Sequence, residues 1–130
     1  MNMQQVVELF GKLKDDSDAF FAHVADDVDW TVMGTHPLAG RYRSKRDFIE
    51  HTFARLAKAL PHGAQLTLTH ALVDGEFAAV ELHSHVHAAN GMLFDNRYCW
   101  VCRFKGDTIV EVRAYLDSAM VAELLRQNPV

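Results

Sequence analysis

Apolar positions recur every three to four residues through the first part of the chain and every two residues through the second. Val6, Leu9, Phe10 and Leu13 fall on one stripe of a helix. Asp15-Asp16-Ser17-Asp18 then offers N-caps for a second helix that carries Phe20, Phe21 and Val24. A short strand is predicted over 28–33, followed by a loop over 34–40, where Gly and Pro punctuate the run GTHPLAG. Ser44 with Asp47 resembles a capping box. It opens a third helix whose buried stripe is Phe48, Ile49, Phe53, Leu56 and Leu60, and Pro61-His62-Gly63 ends it.

Three turn signals divide the period-two half: Asp74-Gly75, Asn90-Gly91 and Lys105-Gly106-Asp107. They predict an antiparallel meander of strands at 65–73, 76–89, 92–104 and 108–117. A closing helix over 118–127 is capped by Asp117 or Ser118 and buries Met120, Val121, Leu124 and Leu125. Asp-Gly and Asn-Gly favour two-residue hairpins, because both central residues then need positive φ. Such turns set the register, and register decides which side chains share a face. On this reading Leu68 pairs with Glu81, His83 with Tyr98, His85 with Asn96 and Trp100 with Val112.

One face then holds Leu66, Leu68, Leu72, Phe77, Phe94, Trp100, Phe104, Val110, Val112 and Leu116, apolar enough to lie under the helices. Glu81, His83, His85, Asn96 and Tyr98 are embedded in it. An unpartnered buried polar group costs about 1–3 kcal/mol, so these five must satisfy one another or line a cavity. An apolar hollow with a few convergent polar groups is the usual form of a small-molecule site. The other face, with Thr67, Thr69, Val80, Leu82, Ser84, Arg97, Arg103, Glu111, Arg113 and Tyr115, suits solvent or a second copy of the chain.

Composition narrows the partners. In 130 residues there are 13 basic and 17 acidic side chains, a formal charge of −4, which gives no electrostatic footprint for nucleic acid. No apolar run approaches the ~20 residues of a membrane span, and the first residues, MNMQQVVELF, do not have the layout of a signal peptide. A cytoplasmic location is expected. Cys99 and Cys102 are spaced as a CxxC, but on a strand they face opposite ways, so neither a redox pair nor zinc is expected. His83-x-His85-x-His87 could share a metal only with a third ligand, and Glu81 is the carboxylate on that face. No metal and no cofactor are expected.

The order helix, helix, short strand, helix, meander, helix resembles the nuclear transport factor 2-like fold, and within it SnoaL-like and ketosteroid isomerase-related proteins. The run from Trp30 to Tyr42, the stretch Asp95-Asn-Arg-Tyr98 with Val101-x-Arg-Phe104, and the segment 109–117 carry the likeness. It implies an α+β cone, a strongly curved antiparallel sheet covered by N-terminal helices (also called cystatin-like), with residues 1–130 as one domain. Ketosteroid isomerases place a base where this chain has Thr31 and Val32. Limonene epoxide hydrolase-like members place carboxylates where it has His83 and Ala114. The family's pocket positions fall on Trp30, Val32, His85, Asn96, Tyr98 and Leu116.

Two functions are compatible with this pattern. In the first, the chain is a cofactor-free isomerase, cyclase, dehydratase or hydrolase acting on a small, apolar, oxygen-bearing substrate. His83 is its base, Glu81 or His85 orients that base, and Tyr98 with Asn96 donates to an oxyanion. In the second, it is a non-catalytic binding or accessory protein. In either case Trp30, Val32, Leu38, Asn96, Trp100 and Leu116 contact a small apolar ligand, and two copies pair through the outer face of the sheet.

Overall fold

The computed structural model describes residues 1–130. Helices α1 (Met3–Gly11) and α2 (Ser17–Phe21) lead into strand β1 (Val24–Val32), the short β2 (Gly40–Tyr42) and helices α3 (Lys45–His51) and α4 (Phe53–Ala59). Strands β3 (Thr67–Asp74), β4 (Phe77–His87), β5 (Leu93–Lys105) and β6 (Thr108–Leu116) follow, and α5 (Ser118–Gln127) closes the chain. The six strands form one sheet in the order β2-β1-β6-β5-β4-β3. All neighbours are antiparallel except β1 and β6, which run parallel. The expected α+β architecture is present. No helix is long and apolar enough to cross a membrane.

Local chemistry accounts for the helix starts. The Asn2 side chain accepts from Gln5 N–H while the Gln5 side chain accepts from Asn2 N–H, a reciprocal capping box. Asp16 caps α2 and Ser44 caps α3 through Asp47 N–H at 3.0 Å. Asp117 caps α5 through Met120 N–H at 3.1 Å. The third helix expected from the stripe at Phe48–Leu60 is in fact two. Thr52 leaves helical geometry (φ −122, ψ −80) and its hydroxyl donates to the Phe48 carbonyl at 2.6 Å, a local bond that competes with the helix ladder. The bend lets Phe48 and Phe53 both reach the sheet. Segment 34–40, expected as loop, ends in β2, which pairs with β1 through Trp30–Tyr42 and Val32–Gly40.

The meander forms as expected, but its register does not. Between β4 and β5 the turn has three residues: Ala88 N–H donates to the Met92 carbonyl at 2.8 Å, leaving Ala89, Asn90 and Gly91 outside the ladder. Gly91 alone takes positive φ (+90), the left-handed residue of a three-residue turn, whereas a two-residue turn would require it of Asn90 as well. The Asn90 side chain is occupied elsewhere, accepting from Met92 N–H and donating to Gln127. One extra turn residue slips the pairing by one, and a one-residue slip turns every side chain to the other face. His83 therefore opposes Arg97, His85 opposes Asp95 and Glu81 opposes Cys99.

This inverts β4 relative to the sequence reading. Ala78, Val80, Leu82 and Ser84 are buried under the helices, and Glu81, His83 and His85 lie on the outer face. On β3, Leu72 and Phe77 across the turn are likewise exposed rather than buried. Strand β5 keeps the expected parity, with Phe94, Asn96, Trp100 and Phe104 buried, as does Val112 on β6. A shift at Arg103–Phe104 buries Ile109 in place of Val110 and sets Trp100 opposite Ala114 rather than Val112. An aromatic cluster fills the centre of the core. Trp30 stacks on Phe48 with centroids 3.8 Å apart, meets Trp100 edge-on at 5.1 Å, and Phe10, Phe20 and Phe21 close around them. Such pairs add about 0.5–1.5 kcal/mol each beyond their buried area.

Asn96 is fully buried and joins sheet to helix. Its Oδ1 accepts from Asp117 N–H at 3.0 Å and its Nδ2 donates to the Asp117 carbonyl at 3.3 Å, which also accepts from Val121 N–H, so Asn96 ties the start of α5 to β5. Asn96→Ala is expected to cost about 1–3 kcal/mol, because it removes both bonds of a fully buried amide and leaves the Asp117 N–H without its partner. A urea midpoint unchanged from the parent chain would contradict that role.

Candidate functional site

The hollow lies between the inner face of the sheet and the helices. Strand β1 contributes Trp30 and Val32, β5 contributes Tyr98 and Trp100, and β6 contributes Ala114 and Leu116. Phe48, Thr52, Phe53 and Leu56 cover it from α3 and α4, His36 and Leu38 from the loop after β1, and Val121 from α5. The loop approaches α5 closely at Gly34 (φ +111), where a Cβ would stand 2.0 Å from the Ser118 Oγ, so neither the space nor the backbone admits another residue there. The cavity volume is about 40 Å³. This is room for about three waters, so a larger guest requires Phe53, Leu56 or Val121 to change rotamer.

Polar groups in this wall divide into those already engaged and those that are not. His36 is engaged at both nitrogens: Leu38 N–H donates to Nδ1 at 3.2 Å and Nε2–H donates to the Met33 carbonyl at 3.0 Å. Burial holds its pKa below the ordinary histidine value, the charged form losing hydration. The Thr52 hydroxyl is spent on Phe48. Tyr42, beside the hollow, donates to the Leu38 carbonyl at 2.8 Å.

Two donors remain. Trp30 Nε1–H is buried and has no hydrogen-bond partner in the protein. The Tyr98 hydroxyl makes no bond to the protein either, and burial pushes its pKa far above that of an ordinary phenol, so it stays protonated at any working pH. An unmade buried hydrogen bond costs on the order of 1–3 kcal/mol. The Trp30 N–H carries that cost, and the Tyr98 hydroxyl is a second free donor on the same, otherwise apolar wall. No ionised side chain lines it.

The residues expected to form the site are thus separated by the sheet. Trp30, Val32, Leu38, Tyr98, Trp100 and Leu116 surround the hollow. Asn96 is on the inner face but is committed to Asp117. Glu81, His83 and His85 are corrected: the three-residue turn places them on the opposite surface, where Glu81 meets His70 at 3.4 Å and His83 meets Asp95 at 2.6 Å. A side chain on one face of a strand cannot reach the cavity behind it. Phe48, Phe53 and Leu56 were visible as a helical stripe but read as core. His36, which its loop after the first strand places at the mouth of the hollow on the sequence alone, is part of the wall itself.

His36 carries a pH expectation. Its folded pKa lies below its unfolded value of about 6.5, so the unfolded chain binds more protons and stability rises with pH across that range. The contribution is present above pH ~6.5 and is lost as pH falls below it toward the depressed folded value. The stability of His36→Gln, measured by urea unfolding between pH 7.5 and 5.5, should fall less steeply than that of the parent chain. Parallel slopes would contradict the depressed value.

Comparison with known proteins agrees with this architecture. Residues 3–112 match the model of the SnoaL-like domain family. The dimerizing cyclase phiC of Fungal sp. (strain ATCC 74256) is 27% identical over 129 residues, covering 96% of this chain and 57% of the relative. The dimerizing cyclase tstC of Talaromyces stipitatus is 24% identical, with the same coverage. The chain therefore spans little more than half the length of these curated relatives. Among solved structures, an NTF2-like protein from Burkholderia thailandensis superposes with a TM-score of 0.79 at 24% identity, covering 96% of this chain and 98% of that one. The family match over 110 contiguous residues and the superposition lead to one assignment: the chain belongs to the SnoaL-like domain family and has the NTF2-like fold.

Proposed function

We propose that the hollow binds a small, largely apolar molecule through one oxygen acceptor, held by the Tyr98 hydroxyl and the Trp30 indole N–H. The observation that carries this is the buried, unpartnered Trp30 N–H on an aromatic wall that also holds the Tyr98 hydroxyl. Neutral donors in a water-poor cavity polarise a carbonyl and favour a developing oxyanion, the kind of stabilisation that accelerates enolisation, ring closure and addition. Kinship with proteins named cyclases supports placing this chain in cyclase-type chemistry, with residues 1–130 acting as one SnoaL-like unit. On this reading Tyr98 is the oxyanion donor and Trp30 its companion. Val32, Leu38, Trp100 and Leu116 shape the apolar wall, and Asn96 holds α5 in place.

One observation favours the non-catalytic alternative. Of the lining groups His36 is the one imidazole, and both its nitrogens are engaged, so the hollow offers no free base for abstracting a proton. A substrate that needs only polarisation suits this site better than one that must be deprotonated by the protein.

The test uses matched probes. Both tryptophans of the chain line the hollow, so intrinsic fluorescence reports its occupancy. Cyclohexanone should bind about tenfold more tightly than methylenecyclohexane, the worth of one good hydrogen bond. Equal affinities would remove the acceptor from the account.

Two copies would pair through the outer face of the sheet, where Leu93 and Tyr115 are exposed and Glu111 forms ion pairs with Arg103 and Arg113. Sedimentation at micromolar concentration should give a dimer, and a monomer would refute the pairing.

A further inference from the structure

The histidines displaced from the hollow make a different site. On the outer face His83 and His85 are neighbours along β4, and the register sets Asp95 of β5 directly opposite His85. Asp95 accepts from His83 Nε2 at 2.6 Å through Oδ1, and its Oδ2 lies 3.8 Å from His85 Nδ1. One ligand atom from each of the three side chains falls within 4.8 Å of the other two. We propose that His83, His85 and Asp95 bind one divalent transition-metal ion, of the zinc and copper class, on the outer surface of the sheet.

Three features of the geometry carry this. First, alternate residues of one strand share a face, so two imidazoles point the same way without any loop to position them. Their ring centroids are 5.9 Å apart. Two imidazoles that share an ion at ~2.0–2.1 Å through nitrogen, with a tetrahedral opening, have centroids about 5 Å apart, so a modest rotation of each ring closes the site. Second, the two nitrogens already flank the two oxygens of one carboxylate, so the ion replaces the proton now shared between His83 and Asp95 rather than requiring a new arrangement. Third, the side chains are partly exposed, 23% for His83, 58% for His85 and 41% for Asp95, which leaves a route for the ion and open positions for water.

Two imidazoles and one carboxylate suit Zn²⁺, Cu²⁺ or Ni²⁺, whereas Mg²⁺ and Ca²⁺ prefer all-oxygen sites. Arg97, opposite His83, is the cation nearest in register and weakens the site. Strands β4 and β5 would be cross-linked by the ion across their pairing. The hollow lies on the other side of the sheet, so this inference does not depend on what the hollow binds; it shares the outer face with the proposed pairing of two copies.

The experiment is titration of the untagged chain, as it exists in solution, with Zn²⁺ by calorimetry and with Cu²⁺ by electron paramagnetic resonance. One ion per chain is expected, with copper bound more tightly than zinc, hyperfine structure from two nitrogens, and no heat from Mg²⁺. His83→Gln, His85→Gln and Asp95→Asn should each weaken zinc at least tenfold, while His62→Gln, an exposed histidine elsewhere, should leave it unchanged. Failure of the parent chain to bind zinc or copper would overturn the site. So would binding that survives all three substitutions, which would place the ion on other histidines. A Cu²⁺ spectrum with a single nitrogen would exclude the shared histidine pair even if a variant misfolded.

Discussion

Replacing Tyr98 by Phe is expected to lower the preference of the hollow for a ketone over an alkene of the same shape to what the Trp30 N–H alone supplies. The substitution removes one oxygen and keeps the ring against Trp100 and Leu116, so apolar contact is retained and only the donor is lost. A tenfold preference corresponds to about 1.4 kcal/mol, the size of one net hydrogen bond. Binding of methylenecyclohexane should not weaken, since the hydroxyl has nothing to offer it. For any substrate the chain turns over through an oxyanion, the same change should lower kcat by about 10²–10³-fold, as loss of a single oxyanion donor does elsewhere. A Tyr98→Phe protein that still favours cyclohexanone tenfold would show that another group holds the oxygen.

Trp30→Ala is the substitution expected to damage the fold most. The indole is fully buried, stacked on Phe48 and edge-on to Trp100, in the one strand that pairs with both β2 and β6. Truncation of a buried aromatic costs about 3–5 kcal/mol. Against a total stability of about 5–15 kcal/mol for a domain, that leaves little margin. Trp30→Phe keeps most of the packing and removes the unpartnered N–H, so it should be far milder, and it separates the two roles of this residue. Urea unfolding of the three proteins reads the difference. A Trp30→Ala midpoint close to the parent's would mean that the aromatic cluster does not hold helices to sheet.

Much of this architecture could be read from the chain because it rests on local rules. Helix starts followed the capping residues Asp16, Ser44 and Asp117, and the meander followed its glycine turns. The inner face of β5 followed from the alternation Phe94, Asn96, Tyr98, Trp100. Strand β4 shows where one rule overrode a better one. Its own pattern, Ala78, Val80, Leu82, Ser84 and Val86 against Glu81, His83, His85 and His87, places the charged set outward, as alternation in a half-solvated strand dictates. Reading Asn90-Gly91 as a two-residue turn reversed that strand at the cost of burying two imidazoles and a carboxylate. The energetic penalty of that burial, on the order of several kcal/mol, outweighs any dipeptide preference in a turn.

Other features depended on contacts that no short pattern carries. The parallel pairing of β1 with β6 joins residues some eighty positions apart. The break at Thr52 depends on a single side-chain bond, and the width of the hollow depends on how closely α3 and α4 settle on the sheet. Of the expected site, the aromatic and aliphatic wall was legible because strand β5 and the loop after β1 were placed correctly. The acid–base set was not, because it rested on the reversed strand.

The most direct measurement is the carbonyl stretch of cyclohexanone bound to the protein, recorded by infrared difference spectroscopy for the parent chain and for Tyr98→Phe. A hydrogen bond from the phenol weakens the C=O bond, so the band should lie at lower frequency in the parent than for the free ketone in an apolar solvent, and should move back toward that value in Tyr98→Phe. A band at the same frequency in both proteins would mean that the oxygen never meets Tyr98, and the hollow would then be packing space rather than a binding site built around that donor.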